Sequence, residues 1–497
     1  MISKLRNKID VFINSKKDYP LITFLIVGLT PVLFYGSNNY WAVNSWSHLL
    51  FFVSILCAMV LIPFLIWIFI CKKTNFIKNN GHKVLFWFVL LAVLFFLTHT
   101  YFLSTLKRIF LFGFVVALGF LLPFDARKHY KKIIVLLGIF SCLSVLRVAI
   151  NTYEDLKGDA WLQQPDDIIN LKLKATPNIY LIQPDGYVAE SVLKHSPYDS
   201  ISNLYQWLKD AKFKIYDEFR SNYPASLTSN ASLFGMKHHR FGDMLFPAIE
   251  MANGREAITT SNPSISVLNN NGYTTFFIAQ DEYFQQNRKQ ENYDYFNISK
   301  EDFPYITKGD SEVRNVFDDL KKAMSIKSEN PKFFFVEKLL PHHVGFYKTE
   351  ESIKKERDKY LQRISEVNLW LKEVVDYITE EDENSIIIIL ADHGGWVGLK
   401  SFNDLFSNES PALIHSIFSN IAAIKWNGHL KDGFDKDLKT NVNMFRVLFS
   451  VLSEDSKYLD YLEDDSSYNL KLNTLGLKNV VKAIDDNGNV VIVKESN

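Results

Sequence analysis

The chain has 497 residues, which is long enough for more than one domain, and its 55 basic residues are balanced by 55 acidic residues. A formal net charge of zero gives no support for binding to nucleic acid. All 3 cysteines, Cys57, Cys71 and Cys142, lie in apolar segments. The polar remainder therefore has no disulfide, no cysteine metal ligand and no cysteine nucleophile.

Residues 1–150 are predicted to form a membrane domain of five helices. Most of the five apolar runs approach or exceed the ~20 residues that cross a bilayer, and the fourth run is short. Five such runs in a row with almost no internal charge argue against buried core helices. The first run has no small-residue cleavage site and is followed by further spans, which excludes a cleavable signal. We expect spans at 21–37, 47–71, 83–104, 109–125 and 132–150.

The distribution of basic residues predicts the orientation of this domain. Lysines and arginines precede the first span and lie between the second and third spans and between the fourth and fifth. The loop 36–45 carries no charge, and Lys107 and Arg108 are the exception in the other short loop. Because basic loops stay cytoplasmic, we expect an integral protein of the bacterial cytoplasmic membrane with its amino terminus inside. An odd number of spans then places the rest of the chain outside.

Residues 151–175 are interpreted as a juxtamembrane connector that is partly helical and lies on the lipid headgroups, and residues 176–497 as an extracytoplasmic domain. Predicted strands alternate with predicted helices in this domain, which favours an α/β fold with a mostly parallel central sheet and helices on both faces. We expect strands at 178–183, 274–279, 332–337, 385–391 and 421–426, helices at 201–212, 351–380 and 441–453, and a hairpin turn at 485–489.

Polar groups follow three of these strands. The isoleucine-rich strand ends in Asp392-His393-Gly394-Gly395, and the first strand ends before Asp185-Gly186. Open α/β sheets bind ligands at the carboxyl ends of their strands. A carboxylate oxygen together with an imidazole nitrogen suits a divalent metal ion. Asp185 taken alone is equally explained as a carboxylate that caps the next helix.

Ser226 stands at the predicted start of a helix in which Leu227, Ala231 and Phe234 recur at helical spacing. The free N–H groups and the dipole at a helix start favour an anion such as phosphate. A serine hydroxyl there becomes a nucleophile only if a base or a metal activates it. The alternative is an ordinary serine cap, and the Asp392-His393 pair favours the nucleophile.

The third strand is followed by Pro341-His342-His343. A histidine here has the chemistry to protonate a leaving oxygen or to bind a substrate phosphate, although a surface or supporting role is the alternative. We interpret His238 and His239 as surface or substrate-groove residues.

This combination resembles the sulfatase and alkaline phosphatase superfamily, and within it the membrane-anchored phosphotransferases: lipoteichoic acid synthases, phosphoglycerol transferases and phosphoethanolamine transferases. The resemblance implies an alkaline-phosphatase-like sandwich and one divalent metal, Zn or Mn and alternatively Mg, held by Asp185, Ser226, Asp392 and His393. The family histidine matches His342, with His343 as its rival. The family usually carries Thr as nucleophile where this sequence has Ser, so Thr228 is the fallback.

Two departures narrow the chemistry that the resemblance implies. Sulfatases form formylglycine within a Cys/Ser-x-Pro-x-Arg pattern, and Ser226 is followed by neither the Pro nor the Arg, which disfavours that reaction. Sulfatases also usually show two acids where this sequence has Asp185-Gly186. A second metal would need further ligands, for which Glu337, His342, His343, His415 and His429 are available, but no spacing requires it.

The resemblance therefore predicts transfer of phosphoglycerol or phosphoethanolamine from a membrane phospholipid donor to an envelope glycan or lipid acceptor, through a phosphoserine intermediate. A phosphodiesterase, phosphatase or sulfatase-type hydrolase of the same fold is the alternative enzyme. A catalytically degenerate regulatory membrane protein is the alternative outside enzymes. Transport finds little support, since no acidic residue lies in the interior of a span and there are no paired broken helices.

Overall fold

The computed structural model describes residues 2–494 apart from 101–104, 122–124, 159, 244–247, 261, 306–313, 347–348, 408–409 and 473–477. The chain divides into two compact units, Met1–Leu156 and Lys157–Asn497. The first unit thus ends six residues after the membrane domain that we predicted, because its last helix continues to Leu156.

The first unit is helical. Four of its helices are long and apolar enough to cross a membrane within the described residues. The fourth predicted span, 109–125, coincides with a helix of 17 described residues and then runs into 122–124, which lie outside the described residues. The helices are α1 (Ile2–Asn14), α2 (Pro20–Asn38), α3 (Trp46–Lys73), α4 (Asn75–Thr100), α5 (Thr105–Leu121) and α6 (Ala126–Leu156).

The second unit is an α/β fold, as the alternation of predicted strands and helices indicates. Its helices are α7 (Glu190–Leu193), α8 (Leu204–Asp210), α9 (Ser226–Gly235), α10 (Gly254–Thr259), α11 (Pro263–Asn270), α12 (Val316–Ser325), α13 (Glu350–Glu381), α14 (Asp404–Ser407), α15 (Pro411–Phe418) and α16 (Met444–Ser453). Its strands are β1 (Ile179–Pro184), β2 (Lys214–Ile215), β3 (Thr274–Ile278), β4 (Tyr295–Phe296), β5 (Lys332–Lys338), β6 (Ile386–Leu390), β7 (Ala422–Lys425), β8 (Ser467–Leu472), β9 (Lys478–Ile484) and β10 (Val490–Lys494).

A seven-stranded sheet in the order β2-β7-β6-β1-β5-β3-β4 forms the centre of this unit. Strands β6, β1, β5, β3 and β4 run parallel, while β7 is antiparallel to β6 and β2 to β7. The predicted mostly parallel sheet is therefore confirmed. Because β6, β1, β5 and β3 are neighbours and run the same way, their carboxyl ends meet at one edge. A separate antiparallel sheet, β10-β9-β8, contains the predicted hairpin.

The alternating side chains of β5 show that both faces of the central sheet are covered. Phe334 stacks on Tyr180 of β1 and Phe276 of β3, with ring centroids 4.7 and 4.6 Å apart. Phe335 points to the other face, where its ring meets Phe234 of α9 at 5.3 Å. Successive residues of a strand point to opposite faces, so a run of phenylalanines buries both of them.

Helix α13 covers the face that carries Phe334. Its apolar residues recur at helical spacing, and Ile364, Val367 and Leu371 are buried in the same core cluster as Phe334. This burial explains the length of α13 better than helix propensity does, since tertiary packing supplies most helical stability in proteins.

Part of the predicted connector also lies in this fold. Ile168 and Leu171 are fully or almost fully buried in the second unit, at 0% and 4% exposure. The apolar residues of the connector that we assigned to the lipid headgroups therefore pack against protein instead.

Two leucines on α13 provide a matched test of this core. We expect Leu371→Ala to destabilise the α/β unit by ~2–5 kcal/mol, because it leaves a cavity under the sheet. Leu369→Ala removes the same atoms from a residue that is 65% exposed, and it should cost less than ~0.5 kcal/mol. Thermal melting of the full chain in detergent compares the two variants, and equal melting temperatures would contradict the packing described for α13.

Candidate active site

The turn after β1 places Asp185 at the carboxyl edge of the sheet. The N–H of Asp185 donates to the carbonyl of Lys338 at 2.9 Å, which continues the β1–β5 pairing by one residue. Gly186 follows with a φ of +67°, and a Cβ there would lie 3.2 Å from the backbone nitrogen of His343. Glycine tolerates both the left-handed conformation and the close backbone. The Asp185 carboxylate is thereby held against the loop that carries His342 and His343.

The turn after β6 places Asp392 and His393 beside Asp185. Both residues are completely buried. The Nδ1 of His393 lies 2.7 Å from the carbonyl oxygen of Gly394, so Nδ1 carries the proton and Nε2 presents its lone pair. One oxygen of Asp392, Oδ1, accepts the N–H of Gly186 at 3.0 Å and that of His393 at 2.9 Å. The other oxygen, Oδ2, is buried and has no hydrogen-bond partner.

Helix α9 brings Ser226 to the same point. Ala225 is extended, so α9 begins at Ser226, and every later residue of this helix is buried. The Ser226 hydroxyl donates to Oδ1 of Asp185 at 3.5 Å and lies 3.3 Å from Nε2 of His393. Ser226 is thus the part of α9 that is open to a ligand, at the end of the helix that favours anions.

Hydrogen bonds between buried side chains fix α9 relative to the sheet. Asn230 of α9 and Gln183 of β1 exchange two amide hydrogen bonds of 2.8 and 2.9 Å. Ser229 donates from its hydroxyl to the carbonyl of Asp392 at 2.6 Å. Since rotamers locked in this way hold a site to its geometry, the position of Ser226 relative to Asp185 and Asp392 is set by the fold itself.

The carboxylates of Asp185 and Asp392 crowd each other in a buried space. Burial raises the pKa of Asp392, and the nearby charge of Asp185 adds to the rise, against the opposing charge of His393. Burial also acts to raise the pKa of Asp185, but His342 and then His393 outweigh it and hold that pKa well below its usual range. Two buried carboxylates so arranged favour a positive charge between them.

These residues fit a divalent metal ion. Asp185, Asp392 and His393 each offer one ligand atom, and the three atoms lie within 4.8 Å of one another. The unpartnered Oδ2 of Asp392 and the Nε2 of His393, which also contacts the Ser226 hydroxyl, are 3.4 Å apart, so both point into the same space. Carboxylate and neutral imidazole ligands suit zinc and manganese. The structure therefore brings together all four residues that the resemblance assigns to the metal, with Ser226 as the fourth.

His342 and His343 lie on the open side of this cluster. The Nδ1 of His342 makes a short hydrogen bond with Oδ2 of Asp185, and the His342 side chain is 44% exposed. Burial lowers the pKa of His342, but Asp185 outweighs burial and the pKa is raised. His343 stacks on Trp396 with ring centroids 4.2 Å apart, and burial followed by the charge of His342 lowers the pKa of His343 to about 4. His342 therefore bonds directly to Asp185, one of the candidate metal ligands, whereas His343 packs against Trp396.

Glu337 lies at the end of β5, next to the same cluster. It is buried, and its Oε2 has no hydrogen-bond partner. Burial raises its pKa well above the usual range, and the charges of Asp281, Asp185 and Asp392 add to the rise. We considered Glu337, His342, His343, His415 and His429 as ligands for a second metal. Apart from the two adjacent histidines, Glu337 is the candidate that the fold brings near the site.

The other candidates for a second metal lie elsewhere. The Nε2 of His429 lies 3.3 Å from the carbonyl oxygen of Asn384, at the opposite end of β6 from Asp392. His415 stands on α15, where the charge of Arg220 contributes to a lowered pKa after burial. Neither joins the cluster of possible metal ligands found among the described residues. Both predictions rested on residue type alone, because nothing in the sequence around His415 or His429 indicates a position beside the other ligands.

Two further expectations near α9 need correction. Thr228 is buried, and its hydroxyl donates to the carbonyl of Ala225 at 2.9 Å, so it faces its own helix. His238 and His239 are buried rather than at the surface, at 8% and 3% exposure. The Nε2 of His239 lies 2.8 Å from the carbonyl oxygen of Thr228, and its ring stacks on Tyr223 at 3.8 Å. His239 thus supports helix α9 from behind.

Sequence reasoning missed two residues at the edge of the site. Trp396 stacks on His393 with ring centroids 5.0 Å apart, and its indole N–H donates to the carbonyl of Pro224 at 3.1 Å. Asp281 follows β3, and its raised pKa, caused first by burial, also reflects the charges of Asp185 and His342. The run Gln280-Asp281-Glu282 directly after a predicted strand was a usable signal for the second of these.

Comparison with known proteins gives one family-model match and several similar solved structures. Residues 186–416 match the family model for Sulfatase. No curated protein sequence matches the chain. The integral membrane lipooligosaccharide phosphoethanolamine transferase A from Neisseria meningitidis is similar in structure, with 10% identity, a TM-score of 0.44 and coverage of 88% of this chain and 96% of that one.

Two other solved structures are similar over the second unit. They are the periplasmic domain of phosphoethanolamine transferase EptC from Campylobacter jejuni, with 14% identity, a TM-score of 0.38 and coverage of 57% of this chain and 94% of that one, and the 2-O GAG sulfatase BT1596, with 14% identity, a TM-score of 0.40 and coverage of 60% and 77%. At such identities and TM-scores, these likenesses carry no argument about the reaction of this chain.

Part of the α/β unit, residues 186–416, therefore matches the Sulfatase family model. The resemblance to the sulfatase and alkaline phosphatase superfamily is confirmed by the family-model match, which begins one residue after Asp185 and includes Ser226, Asp392 and His393.

A metal-binding measurement tests the role of the unpartnered carboxylate oxygen. We expect Asp392→Asn to lower the affinity for zinc or manganese at least roughly tenfold, because it removes an anionic ligand from a buried site. Asp358→Asn on α13 is the control, since the Asp358 side chain is 57% exposed. Metal content after dialysis against a chelator buffer measures the effect, and equal retention by both variants would exclude Asp392 as a ligand.

Proposed function

We propose that this protein is a metal-dependent phosphotransferase in which Ser226 is the nucleophile. One observation carries the proposal: the Ser226 hydroxyl, at the start of α9, lies 3.5 Å from Asp185 and 3.3 Å from His393, beside the unpartnered Oδ2 of Asp392. An alcohol held against metal-type ligands at a helix start has the chemistry for attack on phosphorus.

The donor that fits this chain is a membrane phospholipid, which contributes phosphoglycerol or phosphoethanolamine. Among the described residues, four helices are long and apolar enough to cross a membrane, and tethering an active site to the membrane of its donor raises the effective concentration of that donor. The acceptor is then a glycan or lipid hydroxyl of the cell envelope, reached on the outer face of a bacterial cytoplasmic membrane.

In the first half of the reaction, the Ser226 hydroxyl gives up its proton to solvent water and its Oγ attacks the phosphorus of the headgroup. An O–P bond forms to Ser226 and the P–O bond to diacylglycerol breaks. The exposed part of the His342 ring faces the ligand side, and Asp185 orients the ring through Nδ1, so we assign His342 to protonate the departing alkoxide. The products of this half are diacylglycerol and a phosphoserine ester.

The charge on the phosphate oxygens must be balanced while these bonds change. The N–H groups at the start of α9 point toward the position of the phosphate. A metal ion held by Asp185, Asp392 and His393 would supply Lewis acidity, which lowers the pKa of an alcohol and neutralises charge on a phosphate oxygen. The hydrogen bond from Nδ1 of His393 to the carbonyl of Gly394 orients the ring so that Nε2 faces the carboxylates.

In the second half, an acceptor hydroxyl attacks the phosphoserine. His342 now takes the proton from that hydroxyl, the O–P bond to Ser226 breaks, and a proton from solvent water restores the serine hydroxyl. Water in place of the acceptor gives a phosphodiesterase with the same intermediate. A formylglycine route is disfavoured, because Ser226 is followed by Leu227-Thr228 rather than by the residues that modification requires.

Mass spectrometry of the Ser226 peptide tests the nucleophile and the donor together. After incubation of the metal-loaded full chain with phospholipid, we expect the mass of glycerol phosphate or ethanolamine phosphate on this peptide. Ser226→Ala should abolish the adduct. Thr228→Val should keep it, because the Thr228 hydroxyl is bonded to Ala225. An adduct that persists in Ser226→Ala would transfer the role to another residue, and no adduct with no bound metal would support a regulatory protein.

Product analysis separates transferase from hydrolase. We expect diacylglycerol release to rise at least several-fold when an envelope glycan acceptor is added, since the acceptor regenerates the free serine. The measurement is the ratio of glycan-linked to free headgroup phosphate by chromatography. Release of free headgroup phosphate at the same rate with and without acceptor would establish a hydrolase instead.

A further inference from the structure

The long helix α13 carries an arginine that none of the chemistry above uses. Two nitrogen atoms of Arg363, Nε and Nη2, are buried and have no hydrogen-bond partner. An arginine presents a planar fork of donors that matches carboxylate and phosphate oxygens. Leaving such donors buried and unbonded costs free energy, so the fold keeps a cation here at the expense of its own stability.

The face of α13 that carries Arg363 contacts the loops of the candidate site. Tyr360, one turn earlier, donates its hydroxyl to the carbonyl of Gly186 at 2.8 Å, directly after Asp185. Glu356, a further turn earlier, accepts the N–H of Gly345 at 3.2 Å, in the loop of His342 and His343. Residues at spacings of three, four and seven lie on one side of a helix, so Arg363 continues this stripe past the same two loops.

Electrostatics agrees with this placement. The positive charge of Arg363 acts on the His342 ring and on the carboxylate of Glu356. Nε and Nη2 of Arg363 nonetheless form no hydrogen bond with either group, so both donors remain available for another anion.

We propose that Arg363 binds an anionic oxygen of the phosphate ester that occupies the candidate site, on the side of His342. The proposal rests on the proposed function for the identity of the ester, and it adds a residue that selects a charged phosphate and positions it. The ligand class is a phosphate mono- or diester, whether the headgroup of a lipid or a free phosphate.

Calorimetry with the zinc-loaded full chain in detergent tests the proposal without relying on turnover. The probes are inorganic phosphate, glycerol 1-phosphate and phosphoethanolamine. We expect Arg363→Met to weaken binding roughly ten- to hundredfold, as befits a lost charge-assisted hydrogen bond, and Arg363→Lys to retain part of the affinity. Weakening confined to the two headgroup phosphates would identify the lipid headgroup as the ligand, and weakening of all three probes would identify any phosphate.

A second arginine on the same helix is the matched control. The Nε of Arg357 donates to the carbonyl of Tyr198 at 2.7 Å, so Arg357 is bonded within the protein. We expect Arg357→Met to lower the melting temperature and keep phosphate affinity. Arg363→Met should show the reverse: an unchanged or higher melting temperature without phosphate, and loss of the stabilisation that phosphate gives.

Two results separate the failure of this proposal from failure of the proposed function. If Arg363→Met binds all three probes as tightly as the unaltered chain, Arg363 is not a phosphate ligand, even where Ser226 still forms its adduct. If Arg363→Met loses affinity but Ser226 forms no adduct with phospholipid, the anion site stands and the transfer reaction does not.

Discussion

The arrangement of this active site depends on two carboxylates that the sheet forces together. Asp185 and Asp392 follow neighbouring parallel strands, and both are buried where water cannot screen them. Buried like charges are unfavourable by several kcal/mol unless a positive group stands between them. The fold meets this constraint with His342, which hydrogen-bonds to Asp185, and with one direction left open, toward the unpartnered Oδ2 of Asp392. Under the proposed function, a divalent cation at that point would neutralise both acids.

The surrounding structure holds this unfavourable arrangement in place. The phenylalanines of β5 and the apolar stripe of α13 fix the positions of the strands, while Gln183 and Asn230 lock the nucleophile helix to β1. The same helix that covers the core also brings Arg363 past the site loops. The strands that end at the site, together with helices α9 and α13, therefore supply the core packing, the candidate metal ligands and the proposed anion ligand. The site is thus preorganised before any ligand binds.

Much of this could be predicted from the sequence, and the reasons are local. The run of isoleucines before Asp392-His393 predicts a buried strand that is followed by two candidate metal-binding side chains. A parallel sheet brings the carboxyl ends of its strands together whatever the conformation of its loops. The helical spacing after Ser226 predicted the start of α9, and the structure begins that helix at Ser226. The alternation of elements was sufficient for the α/β architecture.

The remainder depends on contacts that periodicity does not encode. Helical spacing shows which face of α13 is apolar, but it does not show that Tyr360 and Glu356 bond to the loops of the site. Trp396 sits in a glycine-marked turn whose direction only the fold fixes, since a Cβ at Gly394 would lie 2.3 Å from the carbonyl oxygen of Ser416. His415 and His429 were candidates by residue type alone, and neither joins the described cluster of possible metal ligands, although the helix of His415 packs against the turn after β6. Strands of two residues, such as β2 and β4, are too short to show a pattern.

The most direct test of the account is the position of the metal. Anomalous X-ray diffraction from crystals of the manganese- or zinc-loaded protein locates the ion without reference to activity. The account predicts a single strong peak within bonding distance of Asp185, Asp392 and the Nε2 of His393, with the Ser226 hydroxyl as a further ligand. A peak elsewhere in the domain, or one at this cluster that Ser226 does not approach, would contradict it.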